Sequence, residues 1–355
     1  MGEAEERADD IYVKGKISID EDTKRKFENA RYGVAGSHSA VQICSWTKKA
    51  LRGKGACYKQ KFYGIDCHSC CQMSPAMAWC QQNCVFCWRP SEWMKKIAMD
   101  SEETDSPEEI ITGVVKARKK LVCGIGGAGD VNEELFEQSF NIFPSHWAIS
   151  LSGEPTIYPR LGELVRLLKK RKEVKSIFIV SNGQEPEMIE RLAKEDSLPT
   201  QLYISLAAPN PELFRKINRP VYADAWQRLN KTLSLLHKLR CRTVIRLTLI
   251  KGINDSPDYF SPYGKLLENS RPDFLEVKSY MFLGLSRKRL KKENMASHDD
   301  VAEWSRKLLG YAPSYSIVSE QEPSRVVLFK RKDSQHTLFI KKPVGGFNDS
   351  RLGDS

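Results

Sequence analysis

The chain has 355 residues, 41% of them hydrophobic, enough for one large domain or two ordinary ones with a sizeable core. The longest weakly charged stretch, Gln138 to Gly153, is too short for a membrane span, and the acidic start, Met1 to Asp10, lacks the apolar region of a signal peptide. These features exclude a membrane protein and lead us to expect a cytoplasmic monomer, while the net charge of +11 favours a polyanionic partner.

Residues 1–40 are charged and weakly patterned, and read as a cap or partly mobile arm. Residues 41–90 hold eight of the ten cysteines. In a cytoplasmic chain that density reads as metal or cluster ligation rather than a disulfide scaffold. Cys123 and Cys241 lie apart and read as core thiols. Ser106 as N-cap, Pro107 at the first helical position and Glu109 closing a capping box predict a helix start. The run Gly124-Ile-Gly-Gly-Ala-Gly129 follows. It satisfies the spacing of a dinucleotide-binding loop, yet no clear strand precedes it beyond Leu121-Val-Cys123, so it reads as a flexible loop.

From there short apolar runs alternate with helical periods. Strands are expected at Trp147–Leu151, Ser176–Val180, Gln201–Leu206, Thr243–Ile250 and Phe274–Met281, with one more near Gln72–Ala76. Helices are expected at Leu161–Arg171, Glu187–Lys194, Trp226–Leu239, Tyr259–Leu267 and Val301–Leu309. This alternation predicts an α/β fold with a parallel sheet, and six such units suggest an open, partial (β/α)6 barrel. The tail from Pro343 reads as disordered. In parallel α/β folds the chemistry sits at the C-terminal strand ends. Polar motifs fall there: Ser152-Gly-Glu-Pro155 after one strand, Ser181-Asn-Gly183 after the next, and Ser205 closing the third.

The segment Cys80-Gln-Gln-Asn-Cys84-Val-Phe-Cys87 places three thiols on one tight loop. Three thiolates can hold three irons of a four-iron cluster and leave the fourth without a protein ligand. S-adenosylmethionine (SAM) can chelate such an iron through its amino and carboxylate groups, and an electron from the cluster then generates the 5′-deoxyadenosyl radical. The competing reading is a zinc ribbon, with Cys67-x2-Cys70 and Cys84-x2-Cys87 as paired ligands in an RNA-binding module. That reading leaves Cys80 unused and does not account for the Gly-Glu-Pro turn.

With its C-x3-C-x2-C loop and Gly-Glu-Pro motif, the chain resembles the radical SAM superfamily. The resemblance implies that Gly153 and Glu154 hold the SAM amino group, with Asn182 and Ser205 near its carboxylate and ribose. A second set of motifs narrows it: Cys44, Cys57 and Cys70 with Cys57-Tyr-Lys59 and Phe62-Tyr-Gly-Ile65, then Val85-Phe-Cys-Trp-Arg89, Ser150-Leu-Ser-Gly-Glu-Pro-Thr156 and Lys278-Ser-Tyr-Met281 with Ser286-Arg-Lys-Arg-Leu290. From about Tyr32 to Pro313 the chain resembles the tRNA 4-demethylwyosine synthase family. An alternative within the superfamily is a radical enzyme acting on another RNA or on a protein.

The family resemblance implies two [4Fe-4S] clusters, the second on Cys44, Cys57 and Cys70, where the open iron takes pyruvate. It also implies that Lys59 captures pyruvate as a Schiff base, which an amine of lowered pKa could do. Cys67 and Cys71 have no role in this scheme. The implied reaction joins pyruvate to N1-methylguanosine at position 37 of phenylalanine tRNA, a base that must be splayed out to be reached. The basic run around Arg287, Arg289 and Lys292 is expected to hold the anticodon-loop phosphates. Because nothing of domain size precedes Cys44, the likeness is to the short archaeal form, and an external electron-donor protein is expected. The expected organisation is an N-terminal cysteine-rich extension at 1–63, a radical SAM core at 64–313 and a C-terminal strand and tail at 314–355.

Overall fold

The computed structural model describes residues 17–340 except 95, 96 and 128. The Pro343 tail and the acidic N-terminus lie outside the described residues. In chain order the elements are α1 (Glu21–Asn29), β1 (Gly33–Ala35), β2 (Ser39–Gln42), α2 (Ser45–Leu51), α3 (Tyr58–Tyr63), β3 (Cys70–Ser74), α4 (Pro107–Gly126), α5 (Glu133–Asn141) and β4 (His146–Ile149). They continue with α6 (Leu161–Lys169), β5 (Ser176–Ser181), α7 (Pro186–Lys194), β6 (Gln201–Leu206), α8 (Pro211–Asn218) and α9 (Ala225–Leu235). Last come β7 (Arg242–Leu249), α10 (Phe260–Ser270), β8 (Phe274–Ser279), α11 (His298–Leu309), β9 (Tyr315–Gln321) and β10 (Val326–Arg331).

All these strands join one ten-stranded sheet. Its centre, β3 to β8, is parallel throughout and runs in sequence order, as expected of consecutive βα units. The partial six-unit barrel expected from the alternation is therefore present. The segment before Cys44 is more than an arm: β1 and β2 form a hairpin that pairs antiparallel with β3. At the other end β10 pairs antiparallel with β8 and carries β9 at the edge. The β1–β2 hairpin, with strands of three and four residues, is too short to show the alternation that makes a strand legible in sequence. No helix among the described residues is long and apolar enough to cross a membrane.

Strand period separates the two faces of the sheet. Ile177 and Ile179, Leu202 and Ile204, Ile245 and Leu247, and Leu275 and Val277 point outward into the core beneath the helices. The alternate residues, Phe178, Tyr203, Val244 and Phe274, point inward and pack against Tyr58, Phe62 and Tyr63 of α3. The cysteine-rich segment thus plugs the inner face of the sheet.

α4 starts at the capping box, with Ser106 accepting from the Glu109 N–H at 3.2 Å and Glu109 accepting from the Ser106 N–H at 2.7 Å. It then runs on through Gly124 to Gly126, so the first half of the glycine run is helical rather than a loop. Tertiary packing overrides glycine's weak helix propensity here, because Val122 and Ile125 bury against Ile43 and Leu51. Cys123 falls between those two on the helix and is exposed, so it is not a core thiol; Cys241 is buried as expected.

Candidate functional site

The loop between β3 and α4 carries Cys80, Cys84 and Cys87 across the C-terminal ends of the parallel strands. Its backbone is tied to the α8 C-terminus: the Val85 N–H donates to Ile217 O at 2.8 Å and the Asn83 N–H to Asn218 O at 3.1 Å. Two side-chain amides reach the thiols, Asn182 Nδ2 at 3.8 Å from Cys80 Sγ and Asn218 Nδ2 at 3.6 Å from Cys84 Sγ. Such donors stabilise negative charge on a cluster ligand and raise its potential. Burial pushes the Cys80 thiol up to about 12 and raises Cys84 and Cys87 as well, so metal loading must displace these protons.

The Gly-Glu-Pro turn after β4 closes against this loop. Gly153 has φ +67°, and a Cβ there would lie 1.9 Å from Ala76 O and 2.6 Å from Trp79 O, so only glycine lets the two backbones meet. The Glu154 N–H donates to Trp79 O at 2.7 Å. Its carboxylate accepts from the Asn182 N–H at 2.7 Å and from Thr156 Oγ1 at 2.6 Å. Burial raises the Glu154 carboxyl pKa, and those donors pull it back down. Gly153, Glu154 and Asn182 are thereby brought to one edge of the cysteine loop. Ser205 ends β6 one residue before Leu206, beside Arg246 in the β6–β7 register.

The second cysteine set is spread over three elements. Cys44 is the N-cap of α2 and accepts from the Thr47 N–H at 3.3 Å. Cys57 is the N-cap of α3, and Cys70 opens β3. Cys67, without a role in the sequence, is a neighbour of this set: its sulfur accepts from the Cys57 N–H at 3.2 Å, and its hydrogen bond to the Cys57 thiol lowers the Cys57 pKa. Cys71, adjacent to Cys70, points the other way into the helix-facing core. Among the described residues no group of three or more His, Cys, Asp or Glu converges closely enough for a single metal ion. Thiolates on separate irons of a four-iron cluster stand further apart than the ligands of one ion, so both sets remain compatible with clusters.

Lys59 projects from α3 onto the inner face of the sheet, its Nζ 4.3 Å from the Phe178 ring centroid and 4.6 Å from that of Tyr203. Burial lowers its pKa, and the Arg246 charge lowers it further. Beneath it lies a polar network invisible to spacing arguments. Glu276 is fully buried and accepts from Tyr63 at 2.8 Å, Tyr203 at 3.2 Å, Tyr58 at 3.0 Å and Arg246 Nε at 3.0 Å. Burial holds the Lys278 amine down at about 8. The available signal was a charged residue inside an apolar strand, Arg246 in Val-Ile-Arg-Leu and Glu276 in Phe-Leu-Glu-Val.

The basic run divides. Arg287 and Lys292 are exposed. Arg289 instead turns back onto the cysteine loop, donating to Val85 O at 3.2 Å and to Cys87 O and pairing with Glu92, with only 11% of its side chain exposed. The same segment packs Gly284 against Trp88, where a Cβ would lie 2.1 Å from the Trp88 carbonyl oxygen.

The model of the radical SAM superfamily matches residues 74–258, from the end of β3 past β7, so the fold and its cysteine loop define a radical SAM enzyme. A second model, wyosine base formation, matches residues 269–331, which contain β8, β9 and β10. The S-adenosyl-L-methionine-dependent tRNA 4-demethylwyosine synthase of Pyrococcus abyssi is 45% identical over 91% of this chain and 92% of its own length. The human protein of the same name is 36% identical over 85% of this chain but 40% of its own length. The chain therefore belongs to the tRNA 4-demethylwyosine synthase family. Among solved structures, TYW1 with a lysine–pyruvate adduct bound matches with a TM-score of 0.78 at 36% identity, over 89% of this chain and 97% of that one. A crystal structure of archaeal TYW1 matches with a TM-score of 0.72 at 32% identity, over 90% of this chain and 99% of that one. Membership implies SAM and a four-iron cluster as cofactors.

Proposed function

We propose that the chain condenses pyruvate with N1-methylguanosine at position 37 of phenylalanine tRNA to give 4-demethylwyosine, using two [4Fe-4S] clusters. Cys80, Cys84 and Cys87 would hold the cluster that, with SAM, supplies the 5′-deoxyadenosyl radical for hydrogen abstraction from the N-methyl group. Gly153 and Glu154 present a backbone turn and a buried carboxylate to the SAM amino group, and Asn182 and Ser205 offer polar groups to its carboxylate and ribose. Cys44, Cys57 and Cys70 would hold the second cluster. Lys59 captures the pyruvate carbonyl as an imine with loss of water. The N-methylene radical bonds to the imine carbon, and the bond to the carboxylate breaks to release carbon dioxide and one electron, which a cluster would accept. The guanine exocyclic amine then displaces the lysine to close the ring.

The observation that carries this reading is the position of Lys59. Its amine contacts Phe178 on β5 and Tyr203 on β6, while Asn182, just past the end of β5, and Ser205, on β6, lie four and two residues further along the chain. At about 3.3 Å per residue, the amine and the SAM residues are roughly 7 to 13 Å apart along one inner face. A small keto acid and a flipped purine span that distance. Arg287 and Lys292 offer exposed charge for anticodon-loop phosphates, whereas Arg289 serves the cysteine loop. Anaerobic incubation with SAM, pyruvate, a strong reductant and N1-methylated tRNA, followed by nucleoside mass spectrometry, tests the reading. The tricyclic nucleoside is expected only when all four are present; unchanged N1-methylguanosine in the complete mixture would sink it.

A further inference from the structure

The inner pocket beside Lys59 holds more positive charge than the protein neutralises. Lys59, Arg246 and Lys278 all reach into it, and the neighbouring carboxylate is that of Glu276. Glu276 is already saturated, each of its oxygens accepting two hydrogen bonds. Cysteines 57 and 70 border the pocket, and a four-iron cluster on three thiolates would add roughly one net negative charge, so the three cations would still outnumber the negative charges facing them. Partly buried cations without a counter-charge are costly, so the pocket is built for an anion.

Arg246 is the member arranged to take it. Its Nε and Nη2 are held by Glu276 at 3.0 Å, and Nη2 also donates to Tyr58 Oη at 2.7 Å. Nη1 has no hydrogen-bond partner among the described residues, and the side chain keeps 20% of its surface exposed. The guanidinium carbon stands 4.5 Å from the centroid of Tyr203, the same ring that Lys59 Nζ contacts at 4.6 Å. The Tyr203 ring therefore stands against both the imine-forming amine and an oriented guanidinium, whose charge acts on that amine. A 2-oxo acid presents its carbonyl and its carboxylate on adjacent carbons, and it matches that pair.

We propose that Arg246, fixed by Glu276 and Tyr58, binds the carboxylate of the 2-oxo acid whose carbonyl Lys59 captures. The proposal rests on the pyruvate reading above and adds the residue that recognises the acid. In the capture step the lysine nitrogen bonds to the carbonyl carbon and the carbonyl oxygen leaves as water. Added borohydride then supplies hydride to the imine and leaves a stable secondary amine on the chain.

The test uses the full chain and two probes, pyruvate and its uncharged amide, pyruvamide, with borohydride trapping read by intact-protein mass. Arg246→Gln is expected to raise the pyruvate concentration for half-maximal trapping by roughly 10- to 100-fold, the loss of one charge-assisted, oriented contact. Losing the Arg246 charge that lowers the Lys59 pKa weakens both probes alike, so pyruvamide, which makes no ion pair, is the reference, and pyruvate should weaken roughly tenfold or more beyond it. Arg246→Lys should recover part of the pyruvate affinity, since charge returns without the fork geometry. Because Arg246→Gln strands the Glu276 carboxylate, the double variant Arg246→Gln/Glu276→Gln is carried alongside and should show the same selectivity. Equal weakening toward both probes in both variants would overturn the proposal and leave Arg246 a structural residue. If even the parent traps neither probe, the Lys59 reading falls. Pyruvate binding to parent and Arg246→Gln, measured by calorimetry, then decides Arg246 by itself: equal affinities reject it, and a selective loss upholds it.

Discussion

The two cysteine sets reach their geometry by opposite routes. Cys80, Cys84 and Cys87 sit on one short loop, and the rest of the fold fastens that loop from outside through Ile217 O, Asn218, Asn182 and Arg289. Cys44, Cys57 and Cys70 come from two helix N-caps and a strand start, and they meet only once α3 is seated on the inner face of the sheet. The first set is a local motif with tertiary support. The second is a product of the tertiary fold. A local motif can be carried by many radical SAM enzymes, whereas the second site needs the α3 plug of this tertiary fold, and in the function proposed above it is there that pyruvate is taken.

The largest expected effect tests the local set. Replacing Cys80, Cys84 and Cys87 together by alanine should halve the iron from about eight atoms per chain and abolish 5′-deoxyadenosine formation. Persistent 5′-deoxyadenosine in the triple variant would mean that SAM is cleaved elsewhere. The next test strikes the other set. Replacing Cys44, Cys57 and Cys70 should also halve the iron, yet retain part of the SAM cleavage while ending formation of the tricyclic nucleoside. Lys59→Ala should lose product too, but with full iron content, since in the proposed reaction the amine is a reactant and not a ligand. If the two variants could not be told apart by iron analysis, the separation between the sets would collapse.

A smaller effect concerns the substrate. Arg287→Glu with Lys292→Glu should weaken tRNA binding by roughly tenfold or more and flatten its salt dependence by about two counterions. Arg289 is left out because it braces the cysteine loop through Val85 O and Cys87 O. Binding titrations at matched salt read the outcome, and an unaltered slope would reduce this run to a solvated face.

What could be read in the sequence follows the same division. Strand and helix alternation, the capping box at Ser106 and the Cys80–Cys87 spacing are local, and each is present in the fold as expected. The hairpin of β1 and β2 was missed because strands of three and four residues carry no period. Arg289 read as a phosphate ligand because charge runs do not reveal which member folds back. The Glu276–Arg246 network was missed for a better reason: it joins residues from α3, β6, β7 and β8, and a one-dimensional pattern shows only charged residues among apolar ones in separate strands.

The smallest expected effect is the sharpest on this point, because it separates two neighbouring thiols by strand parity alone. Cys70 and Cys71 are adjacent, yet Cys70 faces the inner pocket, while Cys71 is fully buried among Met73, Trp147 and the helix layer. Spacing arguments cannot choose between them; alternation across β3 does. Cys71→Ala removes one buried sulfur from a packed core, which should cost roughly 1 kcal/mol of stability and lower the melting temperature by a few degrees. Iron content and product formation should match the parent. Cys70→Ala should do the reverse, losing iron from the second cluster with little effect on the melting temperature of the iron-free chain. Iron analysis and thermal melts on the two single variants decide it. Loss of iron on Cys71→Ala would place that thiol, and not its neighbour, in the pocket, and the face assignment of β3 would have to be inverted.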